Sequence, residues 1–534
     1  MKNMYKTLIL VIMITISGMA FAQEQIKGKI TDAETGEPIE GVDVRFVGSK
    51  MEVNSTSDGS FVIDKVGTTS TLVFSHPNYE QHTINTRDIE GDLMVRMTTN
   101  IRYNQYGQIV SRQELTSESR GGFITWESED RNYKMWMDNR VYLDGASYFD
   151  NYDNNLSPAE NKELGQLDVP SQALKLRRMR FAIKARVGAN WYGEIDFDFD
   201  GNTVDIKDAY IRRFFGSAGS PWGAIKLGQF RMPQGMQQTT TSRYLKLMER
   251  ASVYEFNPNR KLGIGYNSWS KKYMLGVGIH TEEIRNVHDQ LEGDPDYYKG
   301  ELQGAKPMFG ASARAAYFIF NEPGKLASIG VGYSKRNTGL YKYPKSRVKY
   351  DPKDETVTSE LEFTVAKVNG VDMATNMSLD AAVSLGRWRM TGEYYFNTLT
   401  MQDGSDDVNF SGFYVQSAFL ITGANLHPWN HREAEFTGIA PGKKGALEVA
   451  ARYSNIDLND FEAGVYAGAK DQITFGINYY FTRNVKCMLN YSIVNHDRFS
   501  DGDGDFEGYT NMYAPAGEGG FDYSFLQWRF EIDF

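Results

Sequence analysis

Two charged runs lie side by side near residue 190. Arg178, Arg180, Lys184 and Arg186 fall on one side of an extended segment, and Met179, Phe181, Ile183, Ala185 and Val187 fall on the other. Just downstream, Glu194, Asp196, Asp198 and Asp200 share one side while Trp191, Ile195, Phe197 and Phe199 share the opposite one. Gly188-Ala-Asn190 between them is short enough for a hairpin turn, so the two segments should be antiparallel neighbours. Such rows of charge can do two things. Cations lining a passage draw anions along it. Paired with the facing carboxylates, they form a cross-strand ladder that stiffens a wall and largely cancels its own field. Positive potential left uncancelled would then come from segment 232–260, where Arg243, Lys246 and Arg250 recur at spacings of three and four. On a helix they form one basic stripe, and a helix folded into a passage would place that stripe in the ion path. The alternative is a solvated external helix.

Other chemistry finds less support. The seven histidines (76, 82, 280, 288, 427, 431 and 496) are scattered, and no G-x-S-x-G motif is present, so no nucleophile and base are marked for catalysis. His427 and His431 have the spacing of helical metal ligands, but Pro428 lies between them and no third ligand is evident. A loop pair is the expectation. Asp501-Gly-Asp-Gly-Asp505 with Glu507 hints at calcium, yet residue 512 is Met where a full loop needs a glutamate; an acidic solvated loop is expected. Neither metal nor cofactor is predicted, nor an enzyme. Cys487 is the single cysteine, which excludes an internal disulfide, and the net charge of −10 argues against nucleic acid.

The charged rows need a wall to hold them. Charge is costly against lipid, so a strand with one apolar and one charged face must turn the charged face inward. The last residues show the same pattern: Leu526, Trp528, Phe530, Ile532 and Phe534 alternate with Gln527, Arg529, Glu531 and Asp533. This resembles the closing strand of outer-membrane β-barrels, with its terminal aromatic residue. At the other end, Lys2 and Lys6, an apolar run from Leu8 to Ile16 and Ala20-Phe21-Ala22 predict a signal peptide over 1–22. No later stretch reaches the roughly 20 apolar residues of a spanning helix.

Residues 132–534 parse into sixteen alternating strands, an even number as barrel closure requires. Long connections (147–173, 232–260, 283–307, 337–372, 457–469 and 498–520) tend to alternate with short turns such as Ser270-Lys271, Gly386 and Thr482-Arg483. Segment 424–444 breaks the alternation, because it falls on the short-turn side yet runs to about twenty residues. Ahead of the strands, residues 23–99 carry short β-rich stretches between turn signals such as Glu34-Thr-Gly36 and Ser57-Asp-Gly59, which predicts a small sandwich. Residues 100–131 are polar and weakly patterned and read as a linker, part of which could enter the barrel as a plug.

Two family resemblances follow. Gly28-Lys-Ile-Thr-Asp-Ala-Glu-Thr-Gly-Glu-Pro-Ile-Glu-Gly-Val-Asp-Val44 with Thr56-Ser-Asp-Gly-Ser-Phe61 resembles the carboxypeptidase-regulatory-like domain, a transthyretin- or Ig-like sandwich that implies no catalysis. Leu176-Arg-Arg-Met-Arg-Phe181, Ile206-Lys-Asp-Ala-Tyr-Ile211, Lys226-Leu-Gly-Gln-Phe-Arg-Met-Pro233, Ser242-Arg-Tyr-Leu-Lys-Leu-Met-Glu-Arg250 and Gly445-Ala-Leu-Glu-Val-Ala-Ala-Arg-Tyr-Ser454 resemble the phosphate-selective porin O and P family. That resemblance implies an all-β, sixteen-stranded antiparallel transmembrane barrel in a Gram-negative outer membrane. It implies a homotrimer, passing small polar or anionic solutes along inward arginines and lysines. The competing expectation is a barrel that anchors the sandwich, which then engages periplasmic partners.

Overall fold

The computed structural model describes residues 25–49, 51–65, 71–89, 91–103, 106, 108–111, 115–149, 172–199, 204–217, 220–284, 309–338, 347–356, 363–500 and 522–534. The predicted signal peptide, Asp200 and the acidic run 501–507 lie outside these residues. The chain divides into two units, Met1–Glu114 and Leu115–Phe534.

The first unit is a sandwich of strands β1 (Gln25–Asp32), β2 (Asp43–Phe46), β3 (Glu52–Asn54), β4 (Ser60–Asp64), β5 (Thr71–His76), β6 (Tyr79–Asn85) and β7 (Leu93–Met97). One sheet has the order β4-β1-β7 and the other β3-β2-β5-β6. Alternate residues Ile30, Val44, Phe46, Phe61, Phe74 and Val95 meet between them. Asp32 closes the first turn: its carboxylate accepts from the Glu34 and Thr35 amides at 2.8 and 3.0 Å and from the Tyr79 hydroxyl at 3.0 Å. Gly59 has φ +79°, and a Cβ there would lie 2.4 Å from the Ile30 carbonyl, so this turn requires glycine. Two short strands follow, β8 (Ile101–Tyr103) and β9 (Ile109–Ser111).

The second unit opens with a hairpin, β10 (Leu115–Arg120) and β11 (Phe123–Ser128), turned at Gly121 and Gly122, both with positive φ. The expected linker is therefore structured over 115–128. Its polar β10 hides the pattern, but β11 pairs with the first barrel strand at Thr125↔Trp136 and extends the wall.

The barrel strands are β12 (Tyr133–Phe149), β13 (Gln172–Val187), β14 (Trp191–Asp198), β15 (Asp205–Ser217), β16 (Ser220–Arg231), β17 (Arg260–Trp269), β18 (Tyr273–His280), β19 (Gly310–Glu322) and β20 (Lys325–Asn337). A hairpin β21 (Arg347–Tyr350) and β22 (Ala366–Asn369) stands apart from the wall. The wall resumes with β23 (Val371–Leu385), β24 (Trp388–Met401) and β25 (Val408–Thr422). After the small pair β26 (Trp429–Asn430) and β27 (Glu435–Phe436), it ends with β28 (Ala446–Asp460), β29 (Val465–Tyr480), β30 (Val485–His496) and β31 (Tyr523–Asp533). Neighbours in the wall are antiparallel, and β31 pairs with β12 from Arg140↔Asp533 to Phe149↔Ser524. Among the described residues, sixteen strands thus close a ring in which none of the sixteen is an unpaired edge; β10 of the added hairpin ends the sheet.

The alternation has its expected sense. On β29, Ile473, Phe475, Ile477 and Tyr479 are exposed outward while Thr474 and Asn478 are buried inward. One connection differs from expectation. Segment 457–469 is not a long loop, because β28 and β29 continue to Asp460 and Val465. Its inward residues Leu458, Val465 and Ala467, with Ile456 just before it, belong to an apolar cluster with Val348, Tyr350 and Val368 of the β21–β22 hairpin. The lumen is apolar there because a folded segment fills it.

Candidate functional site

The ladder forms as the spacing suggests. Arg180 faces Asp198 and Lys184 faces Glu194 across β13 and β14. Arg180 donates through Nε to Asp198 Oδ2 at 2.8 Å and lies 3.6 Å from Asp196. Lys184 Nζ reaches Glu194 at 3.2 Å and Asp138 of β12 at 2.6 Å. Arg186 has no place in the ladder; its guanidinium lies 5.7 Å from the centre of the Phe214 ring. Asp208 of β15 completes the acidic group: oxygens of Glu194, Asp196 and Asp208 come within 4.8 Å of one another. Each is already held, by Lys184, Arg180 and Arg260 respectively.

Two bulges add cations that a strict two-residue period misses. In the β12–β13 pairing, Tyr142 faces Arg178 and Leu143 faces Leu176, so Arg177 is the extra residue. Leu174, Leu176, Met179 and Ile183 all stay exposed outward, and Arg177 and Arg178 both turn inward. The sequence carries this signal: the apolar positions switch from even numbers (174, 176) to odd (179, 181, 183). A second bulge at Lys207, between Asp196↔Asp208 and Phe197↔Ile206, acts on the neighbouring strand pair, and Lys207 also lines the lumen.

Segment 232–260 enters the lumen, but not as the expected helix. It makes one helical turn at Met236–Thr239 and 3-10 turns at Ser242–Tyr244 and Ser252–Phe256, with 245–251 irregular. Side chains of the wall replace the missing backbone partners. Lys486 donates to the Arg243 carbonyl at 2.9 Å, Asn478 to that of Lys246 at 2.8 Å, Arg529 to that of Met248 at 2.6 Å and Arg452 to that of Glu249 at 3.0 Å. The predicted stripe therefore does not exist. Arg243 pairs with Asp138 and lies 3.6 Å from Asp533, and Lys246 lies 2.9 Å from Glu448. Arg250 donates to the carbonyls of Gln237 and Thr240 at 3.0 and 2.5 Å. The segment runs close to the wall: a Cβ at Gly235 would lie 2.0 Å from the Tyr395 hydroxyl.

Two further segments fold inward. In the β21–β22 connection, Asp354 accepts from Lys470 at 2.6 Å and Tyr523 at 2.6 Å, and Glu355 accepts from Ser454 at 2.6 Å and the Ser252 amide at 3.1 Å while pairing with Arg452. The long segment 424–444 is held by Arg314, which donates to the Glu433 and Ala434 carbonyls at 3.1 and 3.2 Å. His427 is buried beside Glu448 at 3.6 Å, with Nε2 2.9 Å from the Arg387 carbonyl. His431 lies half-exposed nearby.

Segments 232–260 and 347–356, with the inner faces of β13 to β17, enclose a cavity of about 750 Å³. Arg178, Arg231, Arg250 and Arg260 line it. Arg260 pairs with Asp208 at 2.7 Å. Arg231 and Arg250 direct their donors to carbonyls of residues 237–240, not to carboxylates. Arg178 is buried, its nearest carboxylate contact is Asp198 at 3.9 Å, and its Nε has no hydrogen-bond partner among the described residues. Tyr254 reports the resulting field. Burial opposes its ionisation, yet Arg250, Arg231, Arg260 and Arg178 outweigh that and draw the phenol below its usual range. Arg250 lies 4.7 Å from the centre of the Tyr254 ring. Sequence reasoning missed Arg177, Lys207, Arg231 and Arg260; only the bulge at Arg177 left a readable trace.

Residues 25–100 match the carboxypeptidase regulatory-like domain, and residues 151–508 match the phosphate-selective porin O and P family. Porin O of Pseudomonas aeruginosa is 19% identical over 433 residues, covering 74% of this chain and 90% of that protein. An uncharacterized protein of Caulobacter vibrioides is 24% identical over 351 residues, covering 62% and 67%. Among solved structures, the anion-selective porin of Comamonas acidovorans shares 13% identity with a TM-score of 0.46, over 75% of this chain and all of that one. The outer membrane channel DcaP of Acinetobacter baumannii shares 10% with a TM-score of 0.43, over 76% and 99%. With its closed sixteen-stranded wall and inward-folded segments, the chain belongs to the phosphate-selective porin O and P family and is an outer-membrane porin of the Gram-negative type.

Proposed function

We propose that the porin passes small anions, inorganic phosphate among them, by passive diffusion, and that the arginine-lined cavity sets this preference. The observation that carries the reading is the group Arg178, Arg231 and Arg250. These cations face one cavity, and none of them has a carboxylate within hydrogen-bond distance among the described residues. The β13–β14 ladder, by contrast, neutralises most of its own charge. Arg178, Arg180, Lys184, Arg243, Lys246 and Arg250 thus divide into two roles, with Arg186 in neither. Arg178 and Arg250 attract ions; Arg180, Lys184, Arg243 and Lys246 hold the wall and the inward segment through carboxylates. Arg186 lies on an aromatic ring. Glu194, Asp196 and Asp198 serve the wall. Transport of this kind needs no covalent step, cofactor or metal, and width and inward charge supply the selectivity. The assembly is a homotrimer in this reading, which rests on family resemblance.

The test is single-channel current in a planar bilayer under a salt gradient, with and without phosphate. Steady current with an anion-directed reversal potential, reduced by phosphate, is the expected result. A cation-directed potential overturns the anion preference. Absence of current from folded barrels overturns conduction itself and leaves the barrel as an anchor for the sandwich and its periplasmic partners.

A further inference from the structure

A single tetrahedral ion does not need a cavity of about 750 Å³. That volume falls in the range of sites that take organic ligands. The arginines occupy only part of the lining. Glu255, on the 3-10 turn Ser252–Phe256, and Asp351, just after β21, line the same cavity and are hydrogen-bonded through their carboxyl groups. Burial, then the neighbouring Asp351 charge, raises the Glu255 carboxyl to about 7. A carboxyl group in this position donates a hydrogen bond when protonated and accepts when ionised. Lys349 lies 2.9 Å from Asp351, so the pair is not a bare negative charge that would repel an anion.

The cavity thus combines two kinds of recognition. Its guanidinium groups suit the forked oxygens of a phosphate. Its carboxyl pair suits alcohol groups. Arg178 adds an independent sign of a ligand: it is buried, lines the cavity and keeps its Nε without a partner among the described residues.

We propose that this cavity is a binding site for a small organic phosphoester with a hydroxylated body, of the size of a hexose phosphate. Its phosphate sits on Arg178, Arg231 and Arg250, and its hydroxyl groups sit on the Glu255–Asp351 pair. The proposal rests on the anion-passing reading and narrows it from bare phosphate to a substrate class.

The experiment measures half-blocking concentrations of the full-length porin in a planar bilayer, with glucose 6-phosphate, inorganic phosphate and glucose as probes. Two added hydroxyl contacts lower the half-blocking concentration of glucose 6-phosphate about tenfold relative to phosphate. Glucose, lacking the anion, should not block over the same range. In Glu255→Met the ratio of the two phosphate probes should fall toward one, with heat-dependent gel mobility confirming a folded barrel. Anion-selective current that phosphate blocks as well as or better than glucose 6-phosphate overturns the proposal and leaves the porin reading intact. Cation-selective current overturns the underlying reading, and the proposal with it.

Discussion

Arg177 and Arg178 are consecutive in the chain, yet both side chains face the lumen. The bulge at Arg177 makes this possible, and the two then part. Arg177 is tied to Glu249, with Nε at 3.1 Å, whereas Arg178 has no carboxylate closer than 3.9 Å among the described residues. Arg178→Met should therefore reduce anion selectivity more than a change at Arg180, whose charge Asp198 already meets. Loss of one unit charge a few ångströms from a passing anion, in partly wet surroundings, costs about 1 to 2 kcal/mol, about a five- to thirtyfold change in permeability ratio. The reversal potential under a potassium chloride gradient reads this directly. Equal shifts in Arg178→Met and Arg180→Met would show that the ladder does not cancel its field.

Arg314 joins three parts of the lumen. It pairs bidentately with Asp380 at 3.0 Å, donates to the 424–444 segment through two carbonyls, and reaches the Thr239 hydroxyl of the 232–260 segment at 3.1 Å. Arg314→Met strands the buried Asp380 charge, a loss of about 3 to 5 kcal/mol. The variant should lose its heat-stable gel mobility at lower temperature than the parent, and protease should cut within 424–444. Arg314→Lys keeps the charge without the fork and should recover only part of the loss.

Glu355 pins the β21–β22 connection to the wall. It pairs with Arg452 and accepts from Ser454 and from the Ser252 amide, so it also fastens the neighbouring segment. Glu355→Ala leaves Arg452 buried beside an empty position, again a loss of about 3 to 5 kcal/mol. Hydrogen exchange should quicken at 347–356 and 252–256 together, and single-channel recordings should grow noisier. Exchange that quickens at only one of the two segments argues against their coupling through this carboxylate.

The sandwich offers a pH test separate from the pore. Two backbone amides, Thr35 then Glu34, and the Tyr79 hydroxyl stabilise the Asp32 carboxylate and hold it below the usual aspartate range. A folded value below the unfolded one stabilises the domain at pH above the unfolded value, and that contribution is lost as pH falls through the folded value. Protection of the amides over residues 25–49, taken relative to the intrinsic exchange rate at each pH, should therefore fall on acidification from pH 5 to 3 in the parent. Asp32→Ala should be less protected already at pH 5 and show a smaller change.

Much of the wall is legible in the sequence, because in-or-out on a strand is a local property with a period of two. Ile473, Phe475, Ile477 and Tyr479 face outward for the same reason that Thr474 and Asn478 face inward. The Arg180–Asp198 and Lys184–Glu194 pairs follow from that period and one tight turn. The period also marks its own failure, in the switch of apolar parity around Arg177.

What fills the lumen is not local. The spacing of Arg243, Lys246 and Arg250 predicts a helical stripe, but the wall supplies four side-chain donors to the segment's carbonyls, and an irregular backbone becomes affordable. The polar look of Asp457 and Asn459 hides strands whose inner face packs on a hairpin about a hundred residues earlier. Arg529 and Asp144, 385 residues apart, meet at 2.6 Å only when the ring closes. The sequence by itself determined the exported barrel, the inward sign of each charged face and the sandwich ahead of it. Only the tertiary structure decided which cations meet carboxylates and which stay open to a solute, because that depends on segments crossing a lumen that no local period describes.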